Sequence, residues 1–142
     1  GEYLYIGSAL SSKGSTTLGN RIQRHCDRTP PKPPHDIRPK FQDFCDAVGI
    51  KYTNNPADKT PFWNIDHLTN LIEAEIIGII AIRYPEPLEN TWSEYIESQP
   101  YTSVFAKGLG ANDNEGHTHL QKSNITDGEW SDLVKQLPRT ID

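Results

Sequence analysis

The chain has 142 residues, of which 35% are hydrophobic and 23% charged, and a formal net charge of -5. This length is suited to one domain with a substantial core, and the composition is typical of a soluble globular protein. No apolar run reaches the length of a membrane span, so we expect no membrane partner. Two cysteines are too few for a disulfide framework, so we expect an intracellular protein, in either the cytoplasm or the nucleus.

A strand and a helix are predicted first. The alternating, Tyr- and Ile-rich stretch Glu2–Ala9 predicts a strand. After a loop, Thr16 or Thr17 can cap a helix that extends to about Arg28. One face of this helix should be buried, because its apolar residues recur every four positions: Leu18, Ile22 and Cys26.

Two further helices are predicted in the middle of the chain. A proline-rich segment precedes a short helix around 41–48, which Gly49 ends, and a short strand over 50–53. The clearest helical pattern covers 67–83, with Asp66 as N-cap and apolar residues on more than half the circumference. Burial of such a helix would make its carboxylates, Glu73 and Glu75, costly unless a metal or an arginine pairs with them.

The last third of the chain is predicted to be poor in regular structure. Pro85 and Pro87 end the preceding helix, and the Gly- and Asn-rich residues 105–124 predict a loop. Residues 127–137 predict a short terminal helix. Strands and helices together indicate an α+β fold, whose strand order the residues alone do not fix.

The order of these features resembles the GIY-YIG nuclease superfamily, most closely its type II restriction endonuclease branch. The resemblance begins in "YIGSA" and continues in "LGNRIQRH", where Leu18, Arg21 and His25 match the family's Leu-x-x-Arg-x-x-x-His helix. It implies a small sandwich in which helices flank a short antiparallel sheet. Residues 1–92 would form the nuclease core, with its first strand upstream of residue 1, and residues 93–142 a loop-rich extension packed on that core.

The activity implied by this resemblance is that of a divalent-metal-dependent endonuclease hydrolysing phosphodiester bonds of DNA, with RNA not excluded. One Mg²⁺ or Mn²⁺ ion per active site would be held by a helical glutamate. Glu73 is preferred because Ile76, Ile77 and Ile80 follow it at the family's apolar spacing; Glu75 is the fallback. Cleavage of both strands would favour a homodimer, since one active site cuts one strand.

Four more residues receive catalytic roles from the resemblance. Tyr5 would act as a base toward water or orient it, and Arg21 would clamp a phosphate oxygen. His25 would assist proton transfer or bind phosphate, and Asn90, which follows the prolines, would brace the site. Each also has an ordinary structural alternative, such as a packed tyrosine or a turn asparagine.

Positive charge is concentrated near these residues. Residues 13–40 contain seven basic and two acidic residues, whereas 41–142 contain seven basic and sixteen acidic ones. Such a patch is compatible with nucleic acid and equally with a solvated surface. Under the nuclease hypothesis, the contacts to the phosphate backbone are predicted to come from Lys13, Arg24, Arg28 and Lys32.

Two alternatives stay open. A catalytically impaired GIY-YIG-like module could bind nucleic acid or a partner protein without cleavage, which the acidic net charge and the lack of the family's first motif in residues 1–142 favour. A zinc site could combine side chains whose spacing matches no common template: His25, Cys26, His35 and Cys45.

Overall fold

The computed structural model describes residues 1–9, 17–53, 64–104 and 120–137. Together they form an α+β fold with helices and a three-stranded antiparallel sheet, as predicted. Among these residues, no helix combines the length and the apolar character that a membrane span requires. In chain order the elements are β1 (Glu2–Tyr5), α1 (Leu18–Cys26), α2 (Arg38–Val48), α3 (Asn64–Thr69), α4 (Glu89–Glu97), β2 (Thr102–Val104), β3 (Leu120–Ser123) and α5 (Asp127–Gln136).

The chain divides into two compact units, one formed by residues 1–8 and 84–142 and the other by residues 9–83. The predicted boundary after residue 92 differs from this division, because it lies inside α4. A strand from the start of the chain pairs with one near its end, so the first unit is assembled from both termini of the sequence.

In the unit of residues 1–8 and 84–142, β3 is the central strand of the sheet, with order β1-β3-β2. Tyr5 lies opposite Leu120, and Val104 lies opposite Gln121. The buried Gln121 amide donates from Nε2 to the Ser93 carbonyl of α4 at 3.2 Å, which ties this helix to the central strand. The terminal helix α5 begins with a capping box between Thr126 and Glu129.

In the unit of residues 9–83, α1 and α2 pack around a buried cluster of Phe41, Cys45 and Ile50. Leu18 and Ile22 of α1 lie against this cluster, as the four-residue spacing predicts. Thr17 caps α1 by accepting from the Asn20 amide at 3.4 Å, and Gly49 ends α2 in the left-handed region at φ 76°.

The prediction of a long helix over residues 67–83 is wrong. The observed helix α3 ends at Thr69, and Asp66 lies inside it rather than at its N-cap. Residues 74–84 have no regular secondary structure. Glu73 and Glu75, predicted to be buried on that helix, are both exposed.

Tertiary contacts explain why this segment is not helical. The side chains of Arg28 and Lys32 take carbonyl groups of residues 70, 71 and 74 as hydrogen-bond acceptors. The Ile76 amide donates to the ring of His35 at 3.0 Å. The Ile76 amide, bonded to a side chain, is not available for a helical ladder, and six isoleucines in 72–82 favour an extended chain.

Smaller differences concern the strands. The first strand ends at Tyr5, so Ile6 and Gly7 of the "YIG" stretch lie beyond it. Residues 50–53 form no strand. Of the segment 105–124, predicted to be a loop, residues 120–123 form β3, and residues 105–119 lie outside the described residues. Helix α4 has no counterpart in the sequence prediction.

Candidate functional site

Helix α1 carries the residues that matched the predicted family motif. Arg21 and His25 are four residues apart, so they project from the same side of the helix. Both side chains are half-buried, whereas Cys26, on the buried side, is fully enclosed. Arg21 and His25 therefore lie on one side of α1, as predicted, and His25 borders the apolar side because it follows Leu18 by seven residues.

A buried carboxylate lies beside α1. Asp66 of α3 is 0% exposed, and its Oδ2 accepts from Arg24 Nη2 at 2.9 Å. Its other oxygen, Oδ1, lies 3.8 Å from His25 Nδ1. This distance is too long for a direct hydrogen bond, and the pair is ionic only when His25 is protonated. Asp66 is therefore positioned between two basic side chains of α1.

Arg28 and Lys32, which follow Arg24 at intervals of four, both donate to main-chain carbonyls of residues 70–74. Arg28 is 6% exposed and donates to the carbonyls of Pro33 at 2.9 Å and Leu71 at 3.1 Å, and also to the Ala74 carbonyl. Its Nη2 lies 3.0 Å from Glu75 Oε2. The predicted nucleic-acid contact of Arg28 is therefore revised, since its guanidinium is buried and used within the fold.

Two more predicted phosphate contacts have partners in the structure. The Lys32 amine donates to the Asn70 carbonyl at 3.1 Å. Arg24, although paired with Asp66, keeps a side chain that is 26% exposed. Arg24 and Lys32 are both partly exposed and stay candidate contacts, whereas Lys13 lies outside the described residues.

His35 is the most deeply buried histidine of the described residues, at 1% exposure. Its Nδ1 accepts from the Ile76 amide at 3.0 Å and lies 3.4 Å from Arg28 Nη2. The proton must therefore be on Nε2, which lies 2.7 Å from the Thr69 carbonyl. These contacts assign the neutral Nε2–H tautomer and a structural role in holding residues 69–76.

The two candidate metal ligands differ in their surroundings. Glu75 Oε1 accepts from the Asp36 amide at 2.7 Å, while Oε2 faces Arg28. Glu73 is exposed in a turn that the Ala74 amide closes on the Leu71 carbonyl. The geometry thus favours Glu73 over Glu75, because both oxygens of Glu75 are already engaged.

No three His, Cys, Asp or Glu side chains among the described residues are grouped as a metal site. The zinc alternative is therefore wrong for its four residues, and Cys26 and Cys45 are buried free thiols. Magnesium needs less protein, since it keeps several waters and binds through one or two carboxylates and substrate phosphates. The exposed Glu73 carboxylate fits such a hydrated ion.

The hydrogen bonds to Glu75 predict an acid-sensitive contribution to stability. Burial raises the pKa of this carboxyl, but the Asp36 amide and the Arg28 guanidinium outweigh that effect and lower the pKa below its ordinary value. A lowered folded pKa means that the stabilisation is present above the ordinary value, about 4.3, and is lost as pH falls through the folded value. Glu75→Gln should therefore destabilise the protein at neutral pH, and the difference from the native protein should shrink in acid.

Urea unfolding at a series of pH values between neutral and strongly acidic checks this expectation. Glu73→Gln is the matched control, because it makes the same change at an exposed carboxylate two residues away. Equal pH dependence of the Glu75→Gln and native proteins would show that the Arg28 and Asp36 contacts do not stabilise the charged form.

The other predicted catalytic residues lie in the unit of residues 1–8 and 84–142. Tyr5 is the last residue of β1 and is half-buried. A Cβ on Gly7 would lie 3.2 Å from Cε1 of that ring, so the glycine allows the ring to lie against the main chain. Asn90 lies in the first turn of α4. The catalytic roles of Tyr5 and Asn90 stay predictions.

Sequence reasoning missed the importance of Asp66 and His35. Asp66 was interpreted as a helix cap and His35 only as a zinc ligand, yet both are almost fully buried. No local motif marks them, because their surroundings come from α1 and from residues 69–76, which are distant in sequence. The available sign that Asp66 is buried was its position after Phe62, Trp63 and Ile65, which are apolar.

Comparison with known proteins gives one match. A family model described as "Domain of unknown function DUF123" matches residues 1–140. No curated protein and no solved structure matches the chain. The chemistry of the site therefore has to be inferred from its residues and geometry.

Proposed function

The chain belongs to the DUF123 family, a domain of unknown function, and we propose that it is a divalent-metal-dependent endonuclease that hydrolyses phosphodiester bonds of DNA. The observation that carries this proposal is the side of α1 bearing Arg21 and His25, a guanidinium and an imidazole one helical turn apart. Phosphodiester hydrolysis needs a cation for the non-bridging oxygens and a group that moves protons, and this pair supplies both.

The neighbouring apolar side of α1 gives the pair a rigid support. Leu18 and Ile22 pack against the buried cluster of Phe41, Cys45 and Ile50. A helix fixed in this way holds its polar face with little freedom, which is what positioned catalytic groups require. The Thr17 cap fixes the first turn of the same helix.

Each side chain has a defined part in the proposed reaction. A water oxygen bonds to phosphorus, and the bond from phosphorus to the leaving oxygen breaks with its electron pair moving to that oxygen. Arg21 binds a non-bridging oxygen through its planar donors, and protonated His25 gives its proton to the leaving oxygen. The proton lost by the attacking water passes to a base, the role that the sequence predicts for Tyr5.

The family resemblance implies a bound Mg²⁺ or Mn²⁺, which Glu73 would hold. When bound, such an ion would supply positive charge for the developing oxyanion. The assignment of Glu73 rather than Glu75 is supported by the Asp36 amide and the Arg28 guanidinium, which engage both oxygens of Glu75. A single protein carboxylate is sufficient, because water and substrate oxygens would complete the coordination shell of Mg²⁺.

Cleavage of supercoiled plasmid, with Mg²⁺ and with EDTA, tests the proposal. The native chain should cut only with Mg²⁺, and Glu73→Ala should lower the rate by about 100-fold or more while DNA binding is kept. Binding should be retained because removal of a carboxylate takes away a charge that repels phosphate. Glu86→Ala, which removes another exposed glutamate from an irregular segment, is the matched control and should cut like the native chain.

The resemblance implies a further strand in the family fold, so the assay should also include a longer form of the protein. Metal-dependent cutting by a Glu73→Ala/Glu75→Ala double variant would overturn the metal-ligand assignment. Failure of both forms to cut, with salt-sensitive DNA binding kept, would favour the second candidate, a binding module without catalysis. What favours this second candidate is that Arg28 and Glu75, predicted as a DNA contact and as the fallback metal ligand, bind each other within the fold.

A further inference from the structure

The carboxylate of Asp66 has a place in the site that the proposed function does not yet use. It is 0% exposed, and a buried charge is costly unless basic groups compensate it. The compensating groups are consecutive residues of α1: Arg24 at 2.9 Å from Oδ2 and His25 at 3.8 Å from Oδ1. The fold thus maintains a buried negative charge directly behind the imidazole of the proposed site.

From this geometry we infer that Asp66 is the positioning residue for His25, holding Nδ1–H and leaving Nε2 to exchange a proton with the phosphate ester. This inference rests on the proposed function. Asp66 touches neither substrate nor reacting atoms; it acts through the imidazole. The distance of 3.8 Å from Nδ1 to Oδ1 matches a site without substrate, in which catalytic hydrogen bonds are often long and tighten in the reacting complex.

The inference fixes which nitrogen carries the proton. Protonated His25 carries N–H on both nitrogens, and transfer of the Nε2 proton to the leaving oxygen leaves the neutral Nδ1–H form. A carboxylate facing Nδ1 stabilises that form and also the imidazolium before transfer. Arg24 neutralises the other oxygen of Asp66, so one carboxylate orients two adjacent side chains of α1.

His35 supplies an internal reference, because its contacts assign the opposite tautomer. Its Nδ1 accepts from the Ile76 amide at 3.0 Å and its Nε2 lies 2.7 Å from the Thr69 carbonyl. Neutral His25 should therefore be Nδ1–H and neutral His35 Nε2–H in the same molecule. The tautomer of each ring is set by its own contacts, so the signals of His35 show how the Nε2–H form looks in the same spectrum.

The test is long-range ¹⁵N–¹H correlation NMR of the native protein above the titration of its histidines, with His25 assigned by loss of its signals in His25→Gln. We expect the Nδ1–H form for His25, its loss in Asp66→Asn, and its retention in Arg24→Gln. Cleavage by Asp66→Asn should fall by about 100-fold or more, the usual contribution of a positioned acid or base. KM should change less, since Arg21 remains.

If Asp66→Asn does not fold, the spectrum of the native protein still tests the positioning role of Asp66. An Nε2–H form of His25 in a native protein that cuts DNA would overturn the positioning role and leave the proposed function intact. An Nδ1–H form in a native protein that cuts no DNA would overturn the proposed function and, with it, the catalytic part of Asp66.

Discussion

Gly19→Ala should destabilise the protein by about 2–3 kcal/mol, although alanine is the better helix former. Gly19 lies in the first turn of α1, where a Cβ would collide with the Lys51 carbonyl oxygen and lie 3.1 Å from Cγ2 of Ile50. A main-chain carbonyl cannot rotate away as a side chain can. The added methyl group must therefore push α1 and residues 50–53 apart.

Separation of these segments would disturb more than one contact. The side chain of Gln23 donates from Nε2 to the Thr53 carbonyl at 2.6 Å, and the Thr53 amide donates to Asn20 Oδ1 at 2.7 Å. Ile50 belongs to the buried cluster on which α1 packs. The loss should therefore be large relative to the small net stability of a domain of this size.

Urea unfolding followed by circular dichroism measures this loss, and amide hydrogen exchange of α1 assigns it to the unit of residues 9–83. Gly128→Ala is the matched control, because its Cβ would meet nothing nearer than Thr126 Oγ1 at 4.0 Å. That variant should gain from a few tenths to about 1 kcal/mol through helix propensity. A Gly19→Ala protein as stable as Gly128→Ala would disprove the close approach of α1 to Lys51.

The helices α1, α2 and α5 could be predicted because their signals are local. Each combines an apolar face with a residue that starts or ends it, such as Thr17 for α1 and Gly49 for α2. These signals depend only on neighbours within a turn. The same local reasoning placed Arg21 and His25 on one side of α1, and hence identified the part of the candidate site that a single helix forms.

Residues 67–83 show where local reasoning fails. The spacing of their apolar residues is compatible with a helix. In the structure, however, burial alternates from Ala74 to Gly78, with Glu75 and Ile77 exposed and Ile76 half-buried. Whether such a stretch becomes helix or extended chain depends on what binds its main-chain groups. Here one such partner is Arg28, which binds the Ala74 carbonyl from more than forty residues away in sequence.

Strand β3 and the buried Asp66 share this dependence on distant partners. The residues of β3 pair with β1 from the opposite end of the chain, so their Gly- and Asn-rich surroundings gave no sign of a strand. Asp66 is buried because α3 packs against α1. The spacing and composition of the sequence therefore could not predict the part of the candidate site that lies outside α1, which is Asp66.

Arg28→Ala should cost about 3 kcal/mol or more, the largest loss expected from one side chain in the unit of residues 9–83. One buried guanidinium holds together three main-chain carbonyls and the Glu75 carboxylate. Its removal leaves carbonyl oxygens of Pro33, Leu71 and Ala74 without this donor. Arg28→Lys should recover only part of the loss, because a single amine cannot reach acceptors arranged around a planar fork.

Denaturant unfolding of both variants, with hydrogen exchange at the Ile76 amide, measures the global and the local effect. That amide is bonded to His35, which Arg28 also contacts, so its protection should fall before that of α2. Arg83→Ala is the control, since Arg83 is exposed and donates to one carbonyl, that of Val48, at 3.0 Å. If Arg28→Ala costs no more than Arg83→Ala, then residues 69–76 are held by their own chain, and the buried guanidinium is not what keeps Asp66 and His35 in place.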